Sequence, residues 1–156
     1  LINFLRRNSM EAHCRTVPLG TCHGGRIEAV LLPPEARLTC LPRHFGAQCI
    51  AVENAVYAMM RRLCPLYRGD YWDFYQLSNG GFYMVPTAAE RYRLECDGNG
   101  FAGEFGANAT GMGVCAMAYS QLSFWRGGAH AAEMYYRLRD FIDLQPEARR
   151  LYALLD

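Results

Sequence analysis

Trp72-Asp-Phe-Tyr-Gln-Leu-Ser-Asn-Gly-Gly-Phe-Tyr-Met-Val-Pro86 decides the fold. Two aromatic runs flank Asn79-Gly80, and both of those residues tolerate the positive φ that a tight hairpin turn requires. Tyr71–Leu77 and Phe82–Val85 are therefore expected to pair as antiparallel strands, with Pro86 ending the second. A two-residue turn at Asn79-Gly80 pairs Ser78 with Gly81, Leu77 with Phe82 and Tyr75 with Met84. One face then carries Tyr75, Leu77, Phe82 and Met84, and the other Trp72, Phe74 and Tyr83. Both faces are apolar, which a half-solvated hairpin does not show. Helices are expected to cover most of both, with exposure near the tip.

Outward from the hairpin, Arg91–Cys96 reads as a third strand of an antiparallel meander, and Asp97–Gly106 as a glycine-rich loop. Arg26–Leu32 reads as a short strand stopped by Pro33 and Pro34. Residues 37–46 read as a turn-rich connector punctuated by Pro42 and Gly46. Apolar residues at offsets of four, seven, eight and eleven make Ile50–Leu63 a helix, stopped by Pro65. Further helices are expected over Ala107–Phe124 and Ala129–Leu144, with a short last one opened by Pro146. Gly111 and Gly113 mark a place where another element packs closely. Strands come early and helices late, which predicts an α+β fold: a small antiparallel sheet of three to four strands, centred on the aromatic hairpin and packed against about four helices. Residues 1–25 read as a loosely structured lead-in, and residues 26–156 as one domain.

The chain has 156 residues, 51% of them hydrophobic, which excludes a disordered tail. No apolar run reaches the length of a membrane span. Sixteen basic residues, all arginine, nearly cancel fifteen acidic ones and leave +1. That balance excludes the acidic surface of a DNA mimic and supplies no general attraction to phosphate backbones. The missing lysines read as the bias of a GC-rich genome. Seven scattered cysteines without a secretory signal fit free thiols in a reducing cytoplasm.

Few motifs point to chemistry. Gly98-Asn-Gly-Phe-Ala-Gly103 matches G-x-G-x-x-G, but the preceding strand belongs to a meander and no acid follows about 20 residues on. Cys40 and His44 stand C-x3-H, with Cys49 near and Cys22-His23 upstream, yet neither a C-x2-C nor an H-x3-H pair exists for zinc. His44 reads as a structural or surface histidine. There is no G-x-S-x-G and no H-E-x-x-H. Tyr71, Trp72, Phe74 and Tyr75 with Arg91 and Arg93 offer a nucleic-acid-binding module as the alternative, against the absence of a basic excess. No catalytic residue, metal site or cofactor is assigned.

Four strings carry a resemblance: Arg37-Leu-Thr-Cys-Leu-Pro-Arg-His-Phe-Gly46, Trp72–Pro86, Ala118-Tyr-Ser-Gln-Leu-Ser-Phe124 and Tyr136-Arg-Leu-Arg-Asp-Phe141. In this order and spacing they resemble the plasmid-borne antirestriction family of the ArdB and KlcA type, over residues 26–156. The chain departs where the family commonly reads Ser-Ala-Asp-Ala-Ala-Gly and this sequence reads Gly106-Ala-Asn-Ala-Thr-Gly111. The capping serine and the acid are replaced by Gly106 and Asn108, and Gln121 stands where a histidine is common. The resemblance implies a small, non-enzymatic bacterial protein that helps an incoming plasmid escape type I restriction without imitating DNA. Its implied partner is the type I restriction-modification enzyme or an associated host protein, met as a monomer in the cytoplasm. The family brings no catalytic residues. The candidate interaction surface, inferred from the sequence, is the hairpin tip Ser78, Asn79, Gly80 and Gly81 with Arg137 and Asp140 on the polar face of the third helix.

Overall fold

The computed structural model describes residues 26–156. The lead-in expected over residues 1–25, with Cys14 and Cys22, lies outside the described residues. The fold is α+β. β1 (Ala29–Leu31), β2 (Trp72–Leu77) and β3 (Phe82–Pro86) form an antiparallel sheet in the order β1-β2-β3. β4 (Arg91–Cys96) pairs with β5 (Phe101–Gly106) in a separate two-stranded sheet. Five α-helices occur among the described residues: α1 (Arg37–Phe45), α2 (Cys49–Leu63), α3 (Ala107–Ser123), α4 (Ala129–Ile142) and α5 (Ala148–Leu155).

Four expectations are corrected, the last of them the hairpin register. Residues 37–46 form a helix rather than a connector, although Pro42 stands inside it. The proline falls near the end of a nine-residue helix, and both it and Leu38, whose carbonyl loses its donor, are exposed to water. The glycine-rich loop contains β5. Phe101 and Phe105 stack across Gly103 with centroids 5.7 Å apart, so the glycine makes room for an aromatic pair on one face of the strand. Arg91–Cys96 consequently turns to β5, with Tyr92 opposite Phe105 and Leu94 opposite Gly103, instead of extending the first sheet.

The hairpin register differs by one residue from the two-residue turn. Gln76 pairs with Phe82, Tyr75 with Tyr83 and Phe74 with Met84. The loop holds three residues, Ser78-Asn79-Gly80, closed by Gly80 N–H donating to the Leu77 carbonyl (2.9 Å) and Leu77 N–H to the Gly81 carbonyl (2.8 Å). Gly80 has φ +82°, the left-handed conformation that completes a type I turn with a bulge. A one-residue slip exchanges faces, so Phe74 now lies with Phe82 and Met84, and Tyr75 stacks on Tyr83 (5.2 Å).

Coverage of both faces holds. Every residue of β3 is buried. On one side Phe82 meets His44 and Phe45 of α1, while Trp72 meets Tyr57 of α2. On the other, Tyr83 meets Phe141 of α4. α3 is buried nearly all round rather than on one stripe, as a central helix must be. It seals the outer edge of β3. Cys115 Sγ accepts from Met84 N–H (3.3 Å), and Tyr119 OH donates to the Phe82 carbonyl (3.0 Å). An edge strand's unpaired backbone groups are thereby satisfied by side chains.

Candidate functional site

The hairpin tip and α4 are joined. Asn79 Oδ1 accepts from Gly81 N–H (3.0 Å), fixing the turn, and Asn79 Nδ2 donates to the Arg137 carbonyl (2.8 Å). The Arg137 guanidinium lies over the tip: a Cβ placed on Gly80 would sit 2.2 Å from Nη1. The same guanidinium pairs with Glu133 one turn earlier on α4. Ser78 ties the tip to the chain entering β1, its Oγ accepting from Glu28 N–H (3.0 Å) and its N–H donating to the Glu28 carbonyl (2.9 Å). Ser78, Asn79, Gly80 and Arg137 therefore share one surface, with Ser78 exposed and the other three half-buried, whereas Gly81 is buried behind the tip. Asp140 is exposed on α4 three residues beyond Arg137. No hydrogen bond or ion pair joins it to the tip.

All four strings named above meet beside this surface. His44 stacks on Phe82 with centroids 5.1 Å apart, Phe45 packs on Tyr119 (5.7 Å), and Asn79 holds Arg137. Sequence reasoning placed His44 in a string but missed its neighbour His130. His130 Nε2 contacts the His44 carbonyl, and its Nδ1 lies 3.1 Å from Glu133 Oε2. His130, Glu133 and Arg137 thus form a polar row at offsets of three and seven along α4. That spacing was visible in the sequence, whereas its link to α1 runs through a main-chain carbonyl and was not. Burial lowers the His44 pKa to about 4, and His130, Arg43 and Arg137 push it the same way. His44 is therefore neutral at pH 7.

The two buried cysteines Cys40 and Cys115 are not activated as nucleophiles. Burial raises the Cys40 thiol to about 11 and the Cys115 thiol to about 12, the reverse of nucleophile activation. Among the described residues no three His, Cys, Asp or Glu side chains gather closely enough to hold a metal ion. A cleft of about 230 Å³ at the start of α3, lined by Gly106, Asn108, Met112, Gln145 and Glu147, holds neither histidine nor cysteine.

The remaining sequence candidates resolve into structural roles. The G-x-G-x-x-G run spans the β4–β5 hairpin, and a strand rather than a helix follows it. Asn99 there donates to the Ala153 and Leu154 carbonyls at the end of α5 (3.2 and 3.1 Å). Trp72 and Phe74 are buried, Tyr75 is half-buried and stacks on Tyr83, and Tyr71, though 60% exposed, carries the Arg37 guanidinium over its ring at 4.0 Å, so the run does not present a row of open rings. Arg93 and Arg91 pair with Glu95 and Glu104. Asn108, where the family commonly carries an acid, accepts from the Tyr83 hydroxyl (2.8 Å). An aspartate would accept the same bond, so the departure keeps the contact. Gln121 is exposed on α3.

Comparison with known proteins agrees with the resemblance. The sequence model described as antirestriction protein matches residues 65–156. The antirestriction protein KlcA of Escherichia coli is 42% identical over 135 residues, covering 83% of this chain and 95% of the relative. The uncharacterized protein YfjX of Escherichia coli K12 is 36% identical over 129 residues, 80% of this chain and 85% of the relative. A solved structure covers 88% of this chain and 100% of its own, with TM-score 0.78 and 38% identity. It comes from work on KlcA and ArdB proteins described as showing a novel fold and antirestriction activity against type I DNA restriction systems in vivo but not in vitro. Kinship over most of the chain, with the same fold, places this protein in the antirestriction protein family.

Proposed function

We propose that this protein relieves type I restriction of incoming DNA by binding a protein, without catalysis and without imitating DNA. The observation that carries this reading is the 38%-identical structural relative, whose activity is seen in vivo but not in vitro. A direct inhibitor of the restriction enzyme acts in both settings. Activity confined to cells favours contact through a host factor, or with the enzyme in a state that only the cell provides. The charge of +1 supports the absence of mimicry. Activity inside the bacterial cytoplasm fits the free thiols at Cys40, Cys49, Cys64, Cys96 and Cys115, no described helix is long and apolar enough to cross a membrane, and the acting form proposed is a monomer. The surface proposed for the contact is Ser78, Asn79, Gly80, Arg137 and Asp140, with Gly81 buried behind it. Its tip is held rigid by Asn79, so little ordering entropy is lost on binding.

Unmodified phage plated on cells with a type I system tests the proposal. Plating efficiency should rise when the protein is expressed, and equal efficiency with well-expressed protein would sink it. Duplex DNA should bind no tighter than the micromolar range at physiological salt, because the charge balance supplies little counterion release. The nucleic-acid alternative is weakened because two of its four expected stacking residues, Trp72 and Phe74, are buried and the chain carries no basic excess.

A further inference from the structure

The turn between α3 and α4 displays two large aromatic side chains that the fold does not use. Phe124 is 87% exposed and Trp125 is 59% exposed. The display is built in: Trp125 N–H donates to the Leu122 carbonyl (3.0 Å), and Gly128 N–H to the Trp125 carbonyl (2.9 Å). Trp125 forms one wall of a cleft of about 70 Å³, with Ala51, Val52, Leu122, Ala131 and Arg126 also lining it. Ile50, next to Ala51, is 69% exposed. The cleft is far below the roughly 300–1,000 Å³ of small-molecule sites. It offers room for one apolar side chain against the exposed Trp125 ring, and exposed apolar surface of this kind marks a protein contact.

Charge narrows the occupant. Arg126 is the one charged side chain among the residues lining the cleft, it is exposed, and no carboxylate among the described residues lies within ion-pair distance of it. His130, the nearest titratable residue on α4, is engaged with Glu133 and the His44 carbonyl. A second copy docked by twofold symmetry would bring two Arg126 side chains into one interface, which like charges oppose.

We propose that Phe124, Trp125, Arg126 and Ile50 form a second docking surface, separate from the hairpin tip. It takes a protein segment that inserts one bulky apolar side chain into the cleft and sets a carboxylate beside it against Arg126. The aromatic pair supplies area at low entropic cost, and Arg126 supplies selectivity.

A displayed library of random twelve-residue peptides, selected on the immobilised full chain, tests this independently of restriction relief. Selected peptides should share a Leu, Phe, Met or Trp anchor with Asp or Glu within three positions. A synthetic peptide of that pattern should bind at least tenfold more weakly to Trp125→Ala and to Arg126→Glu. Tyr136→Ala, which alters an exposed aromatic on α4 outside the cleft, should leave its affinity unchanged. Unchanged melting temperatures would show the variants folded. The proposal is overturned if no such pattern is enriched, or if peptides bind Trp125→Ala as well as the parent. It is equally overturned if the Trp125-dependent ligand proves to be oligothymidine or a second copy of the chain.

Discussion

The side-chain amide of Asn79 donates to the main-chain carbonyl of Arg137 at 2.8 Å, across 58 positions of sequence. One side chain thus performs two tasks, because its oxygen accepts from Gly81 N–H within the turn. Asn79→Asp keeps the acceptor and loses the donor. The turn should survive while the tie to α4 is lost, at about 1–2 kcal/mol. Urea denaturation should show a lower midpoint with an unchanged slope. A stability equal to the parent's would mean that the tie contributes nothing. If the tip is the contact surface, cells expressing the same variant should also restrict phage more strongly than cells expressing the parent.

Gly80 faces two obstacles to substitution. Its φ of +82° is unfavourable for a β-branched residue, and a Cβ would collide with Arg137 Nη1. Gly80→Val should cost roughly 2–4 kcal/mol, whereas Gly80→Asn should cost less because asparagine tolerates that backbone. In the Arg137→Ala background the collision disappears and only the strain remains. The cost of Gly80→Val should therefore shrink there, and a cost unchanged by Arg137→Ala would show that the guanidinium does not rest on the tip.

His44 gives the fold a pH dependence. Its pKa is about 4 in the folded protein, chiefly from burial, with His130, Arg43 and Arg137 adding to it, against roughly 6.5 for an exposed histidine. Between those values the unfolded chain binds a proton that the folded chain excludes. Stability contributed by neutral His44 is therefore complete above about pH 6.5 and falls as pH is lowered towards 4. His44→Phe keeps a ring against Phe82 and removes the titration. The stability difference between parent and variant, measured by denaturation at pH 7 and pH 5, should shift against the parent at the lower pH. A difference that stays constant would place His44 in water.

The sequence made parts of this architecture legible and hid others for physical reasons. Periodicity located α2 and α4, and Asn79-Gly80 located the hairpin. The register escaped because a three-residue bulged turn and a two-residue turn use the same residues, yet the extra residue exchanges the faces of the two strands. Pro42 concealed α1, since a proline near a helix end costs little where the freed carbonyl meets solvent. Gly103 concealed β5, because its role is to accommodate Phe101 and Phe105 rather than to bend the chain. At the candidate surface, Asn79, Gly80 and Arg137 were identifiable as types. Their convergence was not, because Asn79 grips the backbone of Arg137, and a bond to a carbonyl leaves no trace in side-chain spacing.

At Gly111 α3 lies close against the backbone of β3. A Cβ there would sit 2.2 Å from the Met84 carbonyl oxygen and 2.9 Å from Val85 Cα, both backbone atoms that cannot move aside alone. The helix would have to withdraw from β3. Withdrawal would break the Cys115 and Tyr119 bonds to Met84 and Phe82 that satisfy the strand's outer edge. Gly111→Ala should therefore cost about 3 kcal/mol or more, despite the ~1 kcal/mol that alanine gains over glycine in a helix. Gly113→Ala is the control two residues on. Its Cβ would meet only Leu154 and Leu151 methyl groups, at 2.9 and 3.2 Å, on the facing helix. Those side-chain ends can shift, and the helical gain offsets the crowding, so the net change should stay within ~1 kcal/mol. Thermal or urea denaturation of the two variants distinguishes them. If Gly111→Ala proved as stable as Gly113→Ala, α3 would not be the seal on the edge of β3.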